Sequence, residues 1–135
     1  MASSQTTNYS LPQWSKSDRI QMSDFNAAMS TIDAALAGKS GVTFGTYTGN
    51  GAASRTISLG FTPKAVYTCT RSGLAGALTG SYYTYGGLAF PGNPVKCYNN
   101  TAAVEVVEGG FTVRQTNDYD RVNYNGTVYH YIAFR

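Results

Sequence analysis

Side chains that perform acid–base catalysis are scarce in this chain of 135 residues. It has one histidine and seven acidic residues, and the neighbouring acids, such as Asp118 and Asp120, lie near turns. A hydrolase that uses two carboxylates needs them to face each other on either side of the substrate. Nothing in the sequence indicates such a pair. The single histidine, His130, lies in a strand-like run, where a structural role is more common than general-base catalysis. We therefore expect a protein that is not an enzyme and that needs no metal and no cofactor.

Long apolar runs and clusters of positive charge are also missing. No stretch approaches the roughly 20 apolar residues of a membrane-spanning helix, so we expect no membrane insertion. The ten lysines and arginines are never adjacent, whereas a nucleic-acid-binding protein usually concentrates them in a patch. We therefore expect no nucleic-acid partner. The first residues, MASSQTTNYSLPQW, have neither the basic start nor the apolar core of a secretory signal.

The two cysteines do not form the framework of a disulfide-rich domain. Cys69 and Cys97 lie in separate strand-like runs. Neither has the CxxC spacing or the neighbouring histidine of a zinc or redox site. The sequence leaves a disulfide between them open, but without an export signal we expect two buried free thiols.

Tyrosine and glycine, in contrast, are abundant, with 11 and 15 residues. From residue 47 onward, short aromatic and β-branched runs alternate with glycine and proline turns, a pattern typical of a β-sandwich or barrel. Among the alternating runs, residues 55–61 should direct Ile57, Leu59 and Phe61 inward. Residues 1–46 have a different composition, which predicts an N-terminal segment followed by a β domain over 47–135.

One amphipathic helix is predicted in the N-terminal segment, at about 23–37. Ser23 is a suitable N-cap and Gly38 a suitable stop. The apolar stripe repeats at separations of three and four residues and consists of Met22, Phe25, Met29, Ile32 and Leu36. Either this stripe packs on the chain's own β domain or it forms a short bundle between subunits. Two heptads are too short to associate without further contacts.

The final run, VNYNGTVYHYIAFR, has the strongest β propensity in the chain. Asn125-Gly126 is the preferred pair for a two-residue type I′ turn, which predicts a hairpin between 121–124 and 127–134. Both faces of the second strand are largely apolar, which predicts that a second sheet or another subunit covers each of them. One face carries Val128, His130, Ile132 and Phe134, and the other carries Tyr129, Tyr131 and Ala133.

Three polar segments combine tyrosines with amides or charges: residues 82–85 (YYTY), 98–100 (YNN) and 117–121 (NDYDR). Proteins bind sugars by hydrogen-bonding pairs of hydroxyls and by placing an aromatic ring against the apolar sugar face. Each segment alone is also consistent with an ordinary polar turn, but the three together favour a glycan-binding surface. The candidate ligand-binding residues are Asp118, Tyr119, Asp120, Arg121, Tyr82, Tyr83, Asn99 and Asn100.

Within the last segment, each side chain has a distinct predicted role. Asp118 or Asp120 would accept hydrogen bonds from sugar hydroxyls, and Tyr119 would lie against a sugar ring. Arg121 would meet an anionic group, such as a phosphate on a wall polymer.

Longer stretches of the sequence resemble phage proteins. NYSLPQWSKSDRIQMSDFNAAMSTIDAALAG contains W-x-x-x-D-R and D-F-N-x-x-x-x-x-I-D-A-A-L, and is similar to N-terminal segments of small virion proteins in tailed phages and prophages of Gram-positive bacteria. GTYTGNGAASRTISLGFTPKAVYTCTRSG, EGGFTVRQ and NGTVYHYIAFR resemble the C-terminal domains of tail fibres and receptor-binding proteins. The order F-x-P-x-x-V, G-F-x-V and Y-x-Y-I-A-F is also similar to the H-type lectin domain.

This resemblance implies a homotrimeric viral attachment protein of the tail-fibre or receptor-binding type. It implies an antiparallel β-sandwich of about six strands that binds host cell-surface polysaccharide without enzymatic chemistry. Segment 1–46 would attach to other virion proteins and contribute a trimerising helix. The protein would be made in the bacterial cytoplasm and reside on the tail or capsid surface of the virion. Its expected trimer contacts are Phe25, Met29, Ile32, Leu36, Tyr129 and Tyr131.

Two other functions stay open at this point. A structural decoration or adaptor protein of the virion would have the same fold and no glycan ligand. A lectin encoded by the bacterium itself is disfavoured because the N-terminus lacks an export signal. No sugar-contacting residue of the H-type lectins aligns with this chain, so the candidate ligand-binding residues come from the sequence pattern alone.

Overall fold

The computed structural model describes residues 1–39, 41–78 and 81–135. These residues are mainly β, with antiparallel sheets and a single helix, which confirms the expected fold class at that level. They form twelve strands, so the expected number of about six is wrong; several strands contain only two or three residues and escaped the sequence pattern. The Gly/Ser/Thr composition of residues 39–46, KSGVTFGT, predicts a short link before the β domain, and Ser40 of that link lies outside the described residues. Thr79 and Gly80, at the end of the glycine-rich stretch SGLAGALTG, also lie outside them.

The chain divides into two compact units, Met1–Ser40 and Gly41–Arg135. The division falls before the predicted boundary at residue 47. Its position follows from the strand Val42–Thr48, which pairs along its whole length with the last strand of the chain and therefore belongs to the β unit.

The first unit consists of a small hairpin and a helix. Strands β1 (Ser4–Gln5) and β2 (Pro12–Gln13) pair antiparallel, and helix α1 spans Met22–Ala37. The N-cap is Gln21, without a side-chain cap, so the predicted N-cap Ser23 is wrong and lies inside the first turn. The helix stops at the predicted place, with Gly38 as C-cap, although the φ of −78° there does not require glycine.

The helix leaves its apolar stripe largely open. Its only buried residue is Ala28, whereas Phe25, Met29 and Leu36 are 47%, 45% and 62% exposed. Ile32 of the stripe is half-buried, and the first unit leaves the other members of the stripe uncovered.

Asp18 fastens the start of the chain to the segment before the helix. Its carboxylate accepts hydrogen bonds from the amides of Ser3 and Ser15, at 3.0 and 2.7 Å, and from the Ser3 hydroxyl. These hydrogen bonds lower the pKa of Asp18 from 3.8 to about 2, and the bond from the Ser3 hydroxyl has the largest effect. The ionised carboxylate is thus the form that holds the two ends of this segment together.

We expect this attachment to loosen in acid. Because the folded pKa is lowered, the stabilisation is complete above the ordinary value of 3.8 and is lost as the pH falls through about 2. NMR shifts of the Ser3 and Ser15 amides, followed from about pH 5 to about pH 1.5, should move together through that range. In Asp18→Asn this common titration should be absent. If it persists in the variant, another group controls the attachment.

The second unit contains two four-stranded antiparallel sheets. One has the order β3-β12-β5-β8 and the other β4-β11-β10-β9, while β6 and β7 form a separate pair. The strands are β3 (Val42–Thr48), β4 (Ser54–Ser58), β5 (Ala65–Thr70), β6 (Gly76–Leu78), β7 (Tyr82–Thr84), β8 (Gly87–Ala89), β9 (Val95–Lys96), β10 (Ala102–Val107), β11 (Gly110–Arg114) and β12 (Val128–Phe134).

Both four-stranded sheets contribute to one buried cluster. Tyr129 of β12 stacks on Tyr47 of β3 with ring centroids 4.9 Å apart. The predicted inward residues Ile57, Leu59 and Phe61 pack against this cluster, which confirms their orientation. The cluster consists of Tyr47, Val66, Ala89, Ala103, Val104, Val106, Phe111, Val113, Val122, Tyr129 and Ala133. Full burial of each larger apolar side chain contributes about 1.5–3 kcal/mol to folding.

The predicted hairpin around Asn125-Gly126 is wrong. Strand β12 pairs with β3 and β5, and residues 121–127 form no regular strand. The Thr127 amide donates to the Tyr124 carbonyl at 3.0 Å, closing a turn in which Gly126 has a φ of 79°. Asn125 does not have positive φ, as a type I′ turn would require. Pairing with distant strands therefore overrides the local hairpin preference.

The prediction that Tyr129 lies between subunits is also wrong, because its side chain has no exposed surface within the single chain. Tyr131, on the same face of β12, packs edge-on against Phe111 of the other sheet with centroids 5.3 Å apart. Of the two coverings considered for this face, a second sheet is therefore the one observed. The opposite face of β12 stays exposed.

Candidate functional site: a tyrosine cluster

Residues from all three predicted polar segments meet at one surface. The ring of Tyr119 lies 6.2 Å from that of Tyr83 and 6.2 Å from that of Tyr98, measured between centroids. Tyr85 lies 6.5 Å from Tyr83. Tyr98 is 78% exposed, so the cluster has an accessible aromatic ring. We call Tyr83, Tyr85, Tyr98, Tyr119, Arg121 and Tyr124 the tyrosine cluster.

Arg121 gives the cluster its positive charge. Its guanidinium carbon lies 4.6 Å from the ring centroid of Tyr83 and 5.3 Å from that of Tyr124. Its Nε donates to the Asp118 carbonyl at 3.0 Å. The ion pairs within the described part of the chain join other residues, so no carboxylate there neutralises Arg121. The terminal nitrogens of a guanidinium held in this way are suited to bidentate contact with an anion.

Asp120 is a structural residue of the loop, so its prediction as a ligand-binding residue is wrong. Its side chain is fully buried. The carboxylate accepts hydrogen bonds from the Thr116 amide at 2.8 Å, the Thr116 hydroxyl at 2.7 Å and the Asn117 amide at 2.8 Å. Asn117 Oδ1 in turn accepts from the amides of Tyr119 and Asp120, at 2.7 and 3.1 Å. The spacing of Asn117 and Asp120 is typical of turns in which Asn and Asp side chains accept hydrogen bonds from nearby backbone amides.

Strand β7 positions the loop beside it. The Thr84 amide donates to the Tyr119 carbonyl and the Arg121 amide donates to the Thr84 carbonyl, both at 2.8 Å. This short parallel bridge brings Tyr83 next to Tyr119. The contact joins segments that are far apart in sequence.

Two buried hydroxyls fasten the Arg121 end of the loop to the core. Tyr47 donates to the Val122 carbonyl at 2.6 Å, and Tyr129 donates to the Arg121 carbonyl. The Tyr129 oxygen also accepts from the Tyr124 amide at 3.2 Å. Burial raises the pKa of Tyr47 and Tyr129 above the ordinary value near 10, so both phenols remain protonated donors. The core thus positions Arg121 and Tyr124, an arrangement the sequence did not reveal.

Asn123 makes a second attachment that sequence reasoning missed. It is fully buried, and its Nδ2 donates to Asn50 Oδ1 at 2.7 Å and to the Ala52 carbonyl at 2.9 Å. Its Oδ1 accepts from the Asn50 amide at 3.2 Å. The loop after β3 and the segment that carries Arg121 are therefore held in register.

The remaining predicted residues differ in how closely they approach the cluster. The hydroxyl of Tyr82 lies over Gly76, 2.5 Å from where a β-carbon would be, and Tyr82 makes none of the ring contacts described above. Asn99 Oδ1 accepts from the Thr101 amide at 3.1 Å and from the Cys97 thiol at 2.9 Å. Asn100 has a φ of 66°, consistent with a turn role. Exposed Asp118 borders the cluster beside Arg121, whereas Tyr82 and Asn99 have local structural contacts.

The site has the composition of a binding surface. Within the described residues, no group of three or more histidine, cysteine, aspartate or glutamate side chains could hold a metal ion. Cys69 and Cys97 are both free, Cys97 buried and Cys69 half-buried. No helix in this part of the chain is long and apolar enough to cross a membrane. The cluster offers aromatic faces, a cation and an exposed carboxylate for reversible contacts.

Comparison with known proteins leaves the function to be inferred from this geometry. No protein-family model, no curated protein and no solved structure matches the chain.

Proposed function

We propose that this chain is a non-enzymatic attachment protein of a tailed phage, and that the tyrosine cluster binds a glycan on the host surface. The observation that carries the proposal is the convergence of three separate polar segments on Tyr119, whose ring lies 6.2 Å from both Tyr83 and Tyr98. Tyrosines that meet only to fill a core would be buried, whereas Tyr98 is 78% exposed. The sequence resemblance to phage tail fibres and receptor-binding proteins supports the same function.

The chemistry of the cluster fits a carbohydrate with an anionic substituent. An exposed tyrosine face packs against the apolar face of a pyranose ring. The exposed carboxylate of Asp118 accepts hydrogen bonds from sugar hydroxyls. Arg121, without a carboxylate partner among the described residues, binds a phosphate or a uronate through its terminal nitrogens.

The proposed architecture is a homotrimer with an H-type-lectin-like β-sandwich and an N-terminal segment attached to the virion. Two facts support it: the two four-stranded sheets share one buried cluster, and the apolar stripe of α1 is exposed in the single chain. Several linked copies multiply a weak single-site affinity, which suits adsorption to a repetitive surface polymer.

Binding to host material tests the function directly. Fluorescently labelled full-length protein should bind intact Gram-positive cells of a susceptible strain, and purified wall polysaccharide from that strain should compete. Competition should weaken when the phosphate or uronate groups of the polysaccharide are removed. A protein that incorporates into virions but binds no cells or wall polymer would instead be a decoration or adaptor protein.

The helix contribution to the trimer has its own test. Ile32→Asp should place three carboxylates together in an apolar seam, where each is poorly solvated and close to two like charges. We expect the trimer to dissociate, as measured by light scattering coupled to size-exclusion chromatography. Ala34→Asp adds the same charge at an exposed position on the opposite side of α1 and should leave the assembly intact. Equal behaviour of the two variants would contradict a helical seam.

A further inference from the structure

The outer face of the sheet β3-β12-β5-β8 carries an apolar row across all four strands. The register places Phe44 opposite Ile132, Ile132 opposite Tyr67, and Tyr67 opposite Leu88. Phe44 is 75% exposed, Leu88 50% and Ile132 37%. Scattered exposed apolar residues are normal on a protein surface, but a contiguous row marks an interaction site. We call the side chains of these strands that point away from the buried cluster the outer face.

The apolar character extends to the neighbouring row. Val42 lies opposite Phe134, and they are 47% and 37% exposed. Together with Phe44, Leu88 and Ile132, these two residues expose about 500 Å² of apolar side-chain surface. This estimate multiplies each exposed fraction by the roughly 150–250 Å² of surface that a large side chain has. This area is at the upper end of the largest patch on a typical monomer. A stable interface buries roughly 800 Å² on each partner, so these five side chains supply more than half of that area and the other side chains of the outer face lie around them.

The outer face has no lysine, arginine, aspartate or glutamate. Its members are Val42, Phe44, Thr46, Thr48, Ala65, Tyr67, Cys69, Leu88, Val128, His130, Ile132 and Phe134. The chain has a net charge of +3, so on balance the surface charges oppose the meeting of two copies. Through this face, copies approach without opposing like charges.

Strand β3 adds a second unpartnered feature at the border of this face. Among the residues that the structure describes it pairs only with β12, and its seven residues, VTFGTYT, contain neither the charge nor the proline that usually protects an exposed edge. Between β3 and β12 lies a depression of about 390 Å³ lined by Phe44, Gly45, Thr46, His130, Tyr131 and Ile132. One copy therefore offers an exposed Phe44 beside a shallow depression at the same border of the sheet.

We propose that copies of this chain associate through the outer face, with Phe44, Leu88 and Ile132 at the centre of the contact. The number of copies, three, rests on the proposed function. The contact surface itself replaces the predicted interface at Tyr129, which lies inside the single chain. Association buries the apolar rows of each copy and covers the unprotected border strand β3.

Lysine substitutions on this face test the proposal in the full-length protein. Leu88→Lys and Phe44→Lys each place a charge in the centre of the contact at positions that are exposed in the single chain, so the subunit fold is retained. We expect the protein concentration for half-association, measured by sedimentation velocity, to rise at least about 100-fold in each. Leu74→Lys is the matched control, because Leu74 lies outside the sheet and is 41% exposed; its assembly should equal that of the wild type.

Two results would overturn the proposal. One is a wild-type protein that stays monomeric at high micromolar concentration. The other is unchanged assembly of both Leu88→Lys and Phe44→Lys, each associating as strongly as the control Leu74→Lys. Near-UV circular dichroism would show that each variant is folded. The second result together with dissociation of Ile32→Asp would assign the assembly to the helix alone.

Glycan binding is measured separately, so that the two proposals fail independently. A monovalent wall-polysaccharide fragment titrated into dissociated Leu88→Lys reports the single-site affinity without avidity. Loss of assembly with unchanged fragment affinity supports both proposals. An assembled wild type that binds no fragment and no cells contradicts the glycan function and leaves the contact surface standing.

Discussion

Replacing Asp120 with alanine is expected to lower the free energy of unfolding by about 2–4 kcal/mol. The fully buried carboxylate accepts three hydrogen bonds, two from Thr116 and one from the Asn117 amide. Alanine leaves these donors without their acceptor in a place that water reaches poorly. Urea denaturation, followed by near-UV circular dichroism, measures the change.

Asp118→Ala is the matched control for that measurement. Asp118 is exposed two positions away in the same loop, and its removal should change the free energy of unfolding by no more than about 0.5 kcal/mol. If the two variants were equally stable, the buried hydrogen bonds of Asp120 would not support the loop. Because the loop carries Tyr119, a variant at Asp120 does not separate binding from folding. Binding tests should therefore avoid that residue.

The second large effect is expected from Tyr119→Ala combined with Arg121→Ala. The first removes the ring that lies between Tyr83 and Tyr98, and the second removes the cation stacked on Tyr83. Each loss should weaken single-site glycan binding by roughly 5- to 150-fold. In a protein with several linked sites the combined loss should bring cell binding below detection. Flow cytometry of labelled protein on host cells and titration with a polysaccharide fragment measure both levels.

The melting temperature should change little in this double variant. The backbone bonds of the loop to Thr84 persist, since they use main-chain atoms. Tyr9→Ala combined with Arg71→Ala is the control, because both residues are exposed and outside the cluster. If the variant with both Tyr119 and Arg121 replaced still binds cells, the glycan-binding site lies outside the tyrosine cluster.

Local patterns in the sequence predicted some elements well. The alternation in residues 55–61 correctly placed Ile57, Leu59 and Phe61 against the buried cluster, and the alternation in β12 correctly separated its two faces. The Asn-Gly pair predicted a hairpin that does not form, because β12 finds its partners in β3 and β5, which are remote in sequence. The two faces of β12 were equally apolar in the sequence, so the pattern did not show which of them the second sheet covers.

The candidate site shows the same division between local and long-range information. The residue types of a sugar-binding surface were visible in three segments, and their meeting depends on the bridge between Thr84 and the 119–121 backbone. That Asp120 is turned inward while Asp118 is exposed depends on which donors surround each carboxylate. Two acids of the same type, two positions apart, cannot be distinguished by composition.

The hydroxyls of Tyr47 and Tyr129 couple ligand binding at the tyrosine cluster to the stability of the fold. They bond to the Val122 and Arg121 carbonyls from within the buried cluster, so whatever immobilises Arg121 and Tyr124 also restrains the core. A ligand bound only to the folded form raises the free energy of unfolding, by about 2.7 kcal/mol at a concentration 100 times its Kd. A thermal-shift screen of wall-polymer fragments, with no cells and no label, would therefore identify the glycan that this surface accepts.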